Sequence, residues 1–131
     1  MIAYRVNAAL AFPDIIRVLK ASGIARPTDD PARIERMFAH ANLTVSAWDG
    51  ETLVGLARGL TDFVYCCYLC DLAVDASHQK QGIGKQLVET LRAELGDAVT
   101  LILVSAPAAT AYYPRIGFEK ADTAYLIRRK R

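Results

Sequence analysis

The clearest chemistry in the chain lies in seven residues, Gln79-Lys80-Gln81-Gly82-Ile83-Gly84-Lys85. An apolar run stops just before them at Asp75, and a helical pattern opens directly from them. A helix start presents unpaired backbone N–H groups and the positive end of its dipole, which suits phosphate. Gly82 and Gly84 carry no Cβ, so an anion's oxygens can come close to the backbone. A mere tight turn would need neither the Gln-Lys-Gln ahead of the glycines nor Lys85 after them. The chemistry expected here is a diphosphate cradle.

Two common phosphate loops fail on residue identity. A dinucleotide fingerprint needs a third glycine where this chain has Leu87. A nucleoside-triphosphate loop needs glycine at 79 and Ser or Thr at 86, and both positions are Gln. The cysteines are Cys66, Cys67 and Cys70, an odd and clustered set that makes no disulfide framework. Cys67-x-x-Cys70 has no second pair, and His40 and His78 are badly spaced for zinc, so no metal is expected and the thiols read as small buried side chains.

The elements that must position this loop follow from pattern. The chain has 131 residues, enough for one domain over 1–131 with a single core. Apolar residues make up 53% and charged residues 23%, a globular composition, and the net charge of +2 does not argue for nucleic acid. Neither a signal sequence nor an apolar run of membrane-spanning length is apparent, so a cytoplasmic protein is the expectation.

Ile2 to Val6 reads as a strand, and Pro13 to Gly23 as a helix with Ile15, Ile16 and Leu19 on one face. The polar segment Ala21 to Asp30 is a loop, and Asp30-Pro31 caps a second helix striped by Ile34, Met37, Phe38 and Ala41. Leu43–Trp48 and Thr52–Leu60 alternate around Asp49-Gly50, a strong hairpin signal. Val64 to Val74 has the composition of a strand buried on both faces. The helix after the glycines runs to Leu95 and buries Ile83, Leu87, Val88, Leu91 and Leu95. Val99–Val104 is a short apolar strand, Pro107 starts a short helix through Tyr112-Tyr113, and two short strands ending near Ile127 precede the basic residues Arg128–Arg131. The fold class is α+β, or mixed α/β, around one twisted sheet.

The pattern Gln79-Lys80-Gln81-Gly82-Ile83-Gly84 resembles the acyl-CoA diphosphate loop of the GCN5-related N-acetyltransferase superfamily. The preceding Asp71-Leu72-Ala73-Val74-Asp75 resembles that family's hydrophobic strand ending in a bulge. Tyr112-Tyr113-Pro114-Arg115-Ile116-Gly117-Phe118 looks like its aromatic-Tyr-x-x-x-Gly-Phe signature. The short length is similar to the family's small, single-domain bacterial members. The resemblance implies a mostly antiparallel sheet splayed at its central parallel strand pair and flanked by helices.

It also implies transfer of an acetyl group from acetyl-CoA to a primary amine by direct attack. The backbone of Leu72, Ala73 and Val74 would pair with the pantetheine amides like an added strand, and an N–H near Val74 would face the developing oxyanion. Gln79, Lys80, Gln81, Gly82, Ile83, Gly84 and Lys85 would hold the diphosphate. Tyr113 would be the general acid that protonates the leaving thiolate, with Tyr112 in the core.

Many relatives carry a Glu near the position of Tyr68, and Asp71 and Asp62 are the carboxylates available as a base instead. His78 reads as a solvated turn residue. Ala106-Pro107 stands where relatives often have an Asn that helps bind the pantetheine arm. An acyl-cysteine route lacks a paired His.

Two other functions compete, a non-catalytic acyl-CoA-binding or regulatory module and a toxin-like acetyltransferase acting on aminoacyl-tRNA. The basic tail keeps the second open, although it is more often a solvated terminus. The acceptor, a small-molecule or protein amine, should sit between the Ala21–Asp30 loop, the Thr61–Tyr65 region and the chain's end. No membrane partner is expected, and a homodimer is consistent with the family.

Overall fold

The computed structural model describes residues 1–130. Strands β1 (Ile2–Val6), β2 (Leu43–Asp49), β3 (Thr52–Thr61), β4 (Cys66–Val74) and β5 (Thr100–Ile102) form one sheet in chain order. The first four are antiparallel to their neighbours, and β5 runs parallel to β4. Helices α1 (Phe12–Ser22) and α2 (Pro31–Ala39) cover one face, α3 (Ile83–Leu95) covers the other, and α4 (Tyr112–Arg115) is a single turn. This is an α+β fold with a mixed sheet flanked by helices.

Amphipathic pattern explains both layers. Leu43, Val45 and Ala47 of β2 meet Leu87, Val88 and Leu91 of α3 on one side. Ile15, Val18 and Leu19 of α1 and Ile34 of α2 meet Leu53 and Leu56 on the other. Full burial of each large aliphatic side chain contributes about 1.5–3 kcal/mol, so these two layers hold the sheet rigid between them. Asp30 caps α2 by accepting the Arg33 N–H at 3.2 Å, with Pro31 in the first turn.

The strand that matters most for the site, β4, departs from regularity. Asp71 faces Arg58 of β3 but Leu69 faces Gly59, which leaves Cys70 as an extra residue. A bulge of this kind exchanges the faces to which alternate side chains point. Cys67 and Leu69 therefore pack toward α3 before it, whereas Leu72 and Val74 pack toward α3 after it and Ala73 toward α1. The bulge thus lies at Cys70, upstream of the strand end at which the sequence placed it.

Several expectations are corrected. β4 starts at Cys66, not Val64, because Asp62 closes a turn over the preceding residues. It is not buried on both faces: Tyr68 is 44% exposed, since the α1–α2 layer packs on the stretch beyond the bulge. Of the three thiols only Cys67 is buried, while Cys66 is exposed and Cys70 half-buried. β5 is three residues long, because its pairing with β4 ends at Tyr68 and Ile102.

The helix expected from Pro107 divides into a 3-10 turn, Pro107–Ala109, and α4. No strand forms between Glu119 and Lys130, the last described residue. The large apolar side chains there, Tyr125, Leu126 and Ile127, are exposed and pack on no part of the sheet. Of the basic tail, Arg131 lies outside the described residues.

Candidate active site

The loop after β4 has the backbone of an anion cradle. Lys80 and Gly82 both adopt the left-handed conformation, with φ of 64° and 82°. Left-handed residues on either side of Gln81 are the kind of alternation from which anion-binding nests are built. The first backbone bond of α3 runs from the Gln86 N–H to the Gly82 carbonyl at 3.0 Å. Ahead of it, the N–H groups of Ile83, Gly84 and Lys85 have no intrahelical partner and face outward from the helix start.

Lys80 and Lys85 are exposed beside these amides, and the only partner of Lys85 among the described residues is Glu89 at 3.9 Å. So distant a surface pair leaves the ammonium largely free for an anion. Gln79 plays a different part: its Nε2 donates to the Val74 carbonyl at 2.8 Å and the Ser22 carbonyl at 3.3 Å, tying the loop to β4 and α1.

Three elements converge on Gly84. A Cβ built there would collide with the Tyr112 hydroxyl and lie 3.9 Å from Leu72 Cδ2. The missing side chain therefore lets α4 dock onto the first turn of α3, beside the exposed edge of β4. That edge is open because β4 pairs with β5 only over Cys66–Tyr68, although it pairs with β3 as far as Val74. Beyond Tyr68, the β5-facing edge, which includes Leu72, Ala73 and Val74, carries no strand partner among the described residues.

Tyr113 is half-buried between Tyr112, at 5.3 Å between ring centroids, and Phe118 at 5.5 Å, both edge to face. Its carbonyl accepts the Ile116 and Phe118 N–H groups, each at 3.1 Å, which fixes the turn that carries the ring. Burial first and the neighbouring Tyr112 second push its hydroxyl above the ordinary tyrosine value of about 10, with Arg26 acting in the opposite direction. Tyr113 thus keeps its proton at neutral pH. Tyr112 is half-buried rather than core, and burial raises its hydroxyl too.

The two carboxylates considered as bases are both engaged elsewhere. Asp71 is fully buried, with one oxygen accepting from Arg26 Nε and the other from Arg58 Nε. Arg26 also donates to the carbonyl of the bulged Cys70 at 2.8 Å, and the Arg58 guanidinium stacks on Phe38 at 5.4 Å. An ion pair this enclosed holds the α1–α2 loop to β4, with a guanidinium bonded to each carboxylate oxygen. Asp62 accepts from the N–H groups of Tyr65, Val64 and Cys66 at 2.7, 2.8 and 3.1 Å. Those bonds, Tyr65 first, lower its pKa, which makes it a turn closer and a poor base.

Sequence reasoning missed Arg26 and Arg58. Nothing local marks either one, since each meets Asp71 across the fold, Arg26 from 45 residues away and Arg58 from 13. Among the described residues no group of three or more His, Cys, Asp or Glu could hold a metal ion, and no helix is long and apolar enough to cross a membrane.

A splayed parallel strand pair, a helix-start anion nest and a tyrosine docked beside it define an acyltransferase class of fold. The chain belongs to the Acetyltransferase (GNAT) family, whose profile matches residues 12–118. It is similar to a GNAT-family acetyltransferase from Streptococcus pneumoniae TIGR4, with a TM-score of 0.80 at 26% identity over 100% of this chain and 99% of that one. The aminoglycoside N-acetyltransferase AAC(6')-Iy, solved in complex with CoA, shares the fold at a TM-score of 0.74 and 16% identity, covering 99% and 95% of the two chains. GCN5-related N-acetyltransferase 2, chloroplastic, of Arabidopsis thaliana is 38% identical over 78 residues, 54% of this chain and 30% of that protein. The chain spans less than half the length of the curated relatives it matches.

Proposed function

We propose that the chain is an N-acetyltransferase that moves an acetyl group from acetyl-CoA to a primary amine by direct attack. The observation that carries this reading is the convergence at Gly84 of the anion nest, the tyrosine turn and the open edge of β4. Membership of the GNAT family supports it, as does the CoA complex of AAC(6')-Iy, which has the same fold.

In this reading the amides of Gln81 to Lys85 and the charges of Lys80 and Lys85 hold the diphosphate. The free edge of Leu72, Ala73 and Val74 accepts the pantetheine arm as an added strand. An N–H near Val74 faces the carbonyl oxygen as negative charge builds on it. The amine nitrogen forms the new bond to the acyl carbon, the carbon–sulfur bond breaks, and the Tyr113 hydroxyl gives its proton to the departing thiolate. The proton lost by the amine leaves through water, and the tyrosinate recovers one from solvent. In this reading no direct carboxylate base is invoked, since Asp71 is paired with Arg26 and Arg58 and Asp62 accepts three backbone N–H groups.

A second reading, a non-catalytic acyl-CoA-binding module, draws on the same two carboxylates: neither is free, and Tyr68 stands where many relatives carry a Glu. Thermal unfolding with and without acetyl-CoA, followed by an amine-panel assay, separates the readings. A ligand at 100 times its dissociation constant adds about 2.7 kcal/mol of stability. A stabilising shift with amine-dependent thiol release supports the enzyme, and a shift with no turnover supports the module. No shift sinks both.

A further inference from the structure

The face of the sheet on the α1–α2 side is covered only in part. Before the bulge, Cys67 and Leu69 point to α3, so Tyr68 between them points to the opposite face. Leu60 of β3 stands opposite Tyr68 in the antiparallel register, and Ile102 of β5 stands beside it in the parallel one. Leu101 and Leu103 pack toward α3, which puts Ile102 and Val104 on the same face as Tyr68. Leu60, Tyr68, Ile102 and Val104 are between 40% and 56% exposed. Single exposed apolar residues are ordinary, but a row continuous across three strands is the kind of patch that marks a binding surface.

Position and charge narrow what binds there. The row stands at the last level where β4 and β5 are paired, Tyr68 and Ile102, so it borders the mouth of the open β4 edge. A pantetheine arm that enters from the diphosphate loop beyond Val74 directs its thioester end back along β4, toward Cys70 and the row. Just past Cys70 two guanidiniums, Arg26 and Arg58, share one carboxylate, Asp71, which leaves one positive charge in excess. Asp62, in the turn between β3 and β4, is committed to three backbone N–H groups. A second ammonium on the acceptor would meet like charge at this wall, whereas methylene groups would find an apolar floor.

We infer that Leu60, Tyr68 and Ile102 are specificity-determining residues that seat the apolar body of the acceptor, which is therefore a monoamine carried on an aliphatic or aromatic chain and not a polycationic amine. The inference rests on the acetyl-transfer reading above and adds the class of acceptor to it. Only the amine nitrogen has to reach the thioester, so the rest of the acceptor is free to lie along the row.

The test measures kcat/KM for thiol release from acetyl-CoA with propylamine, butylamine, hexylamine, octylamine, phenethylamine and spermidine. The alkylamines share nearly the same basicity, so their series isolates contact with the chain. In the parent, kcat/KM should rise about 3- to 4-fold for each methylene that reaches the row, with spermidine about 10-fold or more below hexylamine. The double variant Leu60→Asn/Ile102→Asn should flatten the series, its Kd for acetyl-CoA serving as the sign of an intact fold. Leu60→Glu should raise spermidine relative to hexylamine, an inversion that lost packing alone does not produce.

A series flat with chain length in the parent, or spermidine as the best acceptor, would overturn the inference while the acetyl-transfer reading stood. An unchanged slope in the double variant, with acetyl-CoA still bound, would overturn it as well. Sedimentation of the parent and the double variant covers the other occupant, a second copy of this chain. A dimer that the two substitutions dissociate, with the slope unchanged, would make the row a subunit interface instead. Thiol release with no amine at all in the panel contradicts the acetyl-transfer reading itself, and the inference falls with it.

Discussion

The Tyr112 hydroxyl occupies the space that a side chain at Gly84 would need. Two opposing effects follow for Gly84→Ala. Alanine favours a helix over glycine by about 0.5–1 kcal/mol, but crowding a packed site costs about 1–3 kcal/mol. The clash should win, so Gly84→Ala lowers stability and weakens CoA binding. In a Tyr112→Phe background the obstructing oxygen is gone, and the same substitution should become neutral or stabilising. Urea unfolding of the four proteins checks this. Destabilisation of equal size in both backgrounds would show that Tyr112 is not what Gly84 accommodates.

Asp71 lies between two guanidiniums with no exposed side-chain surface. Asp71→Asn leaves Arg58 buried without its counter-charge, and breaking a pair of this kind costs about 3–5 kcal/mol. The expected result is a large drop in the urea midpoint. A variant of unchanged stability whose turnover alone is lost would make Asp71 the base after all.

The fate of Asp71 illustrates how much the sequence revealed. The helical stripes of α1, α2 and α3 and the Asp49-Gly50 hairpin were legible because each is a local periodicity of apolar residues or a local turn preference. The loop at Gly82 and Gly84 was legible for the same reason. The Cys70 bulge was not, since an extra residue is defined only by its register against β3. The arginines that claim Asp71 come from other elements, and no short window contains all three. The final pair of short strands ending near Ile127 does not form, because a strand also needs a sheet edge that receives it.

Tyr113 yields a pH prediction. Its pKa is raised above the ordinary value of about 10, by burial first, so the acid form persists beyond that pH. As pH rises, turnover should increase while the acceptor amine loses its proton, and any fall caused by Tyr113 should begin only above about pH 10. A descending limb well below that value, abolished by Tyr113→Phe, would contradict the assigned environment.

The central claim is that Tyr113 donates a proton in an amine-dependent acyl transfer. It is tested most directly by free-thiol release from acetyl-CoA across a panel of primary amines, with Kd measured in parallel, for the parent and Tyr113→Phe. The account predicts amine-dependent release in the parent. In the variant, turnover should drop by about 10²-fold or more, with the Kd for acetyl-CoA nearly unchanged. Equal turnover in the two proteins would remove Tyr113 as the acid, and tight acetyl-CoA binding with no release for any amine would contradict the acetyltransferase reading itself.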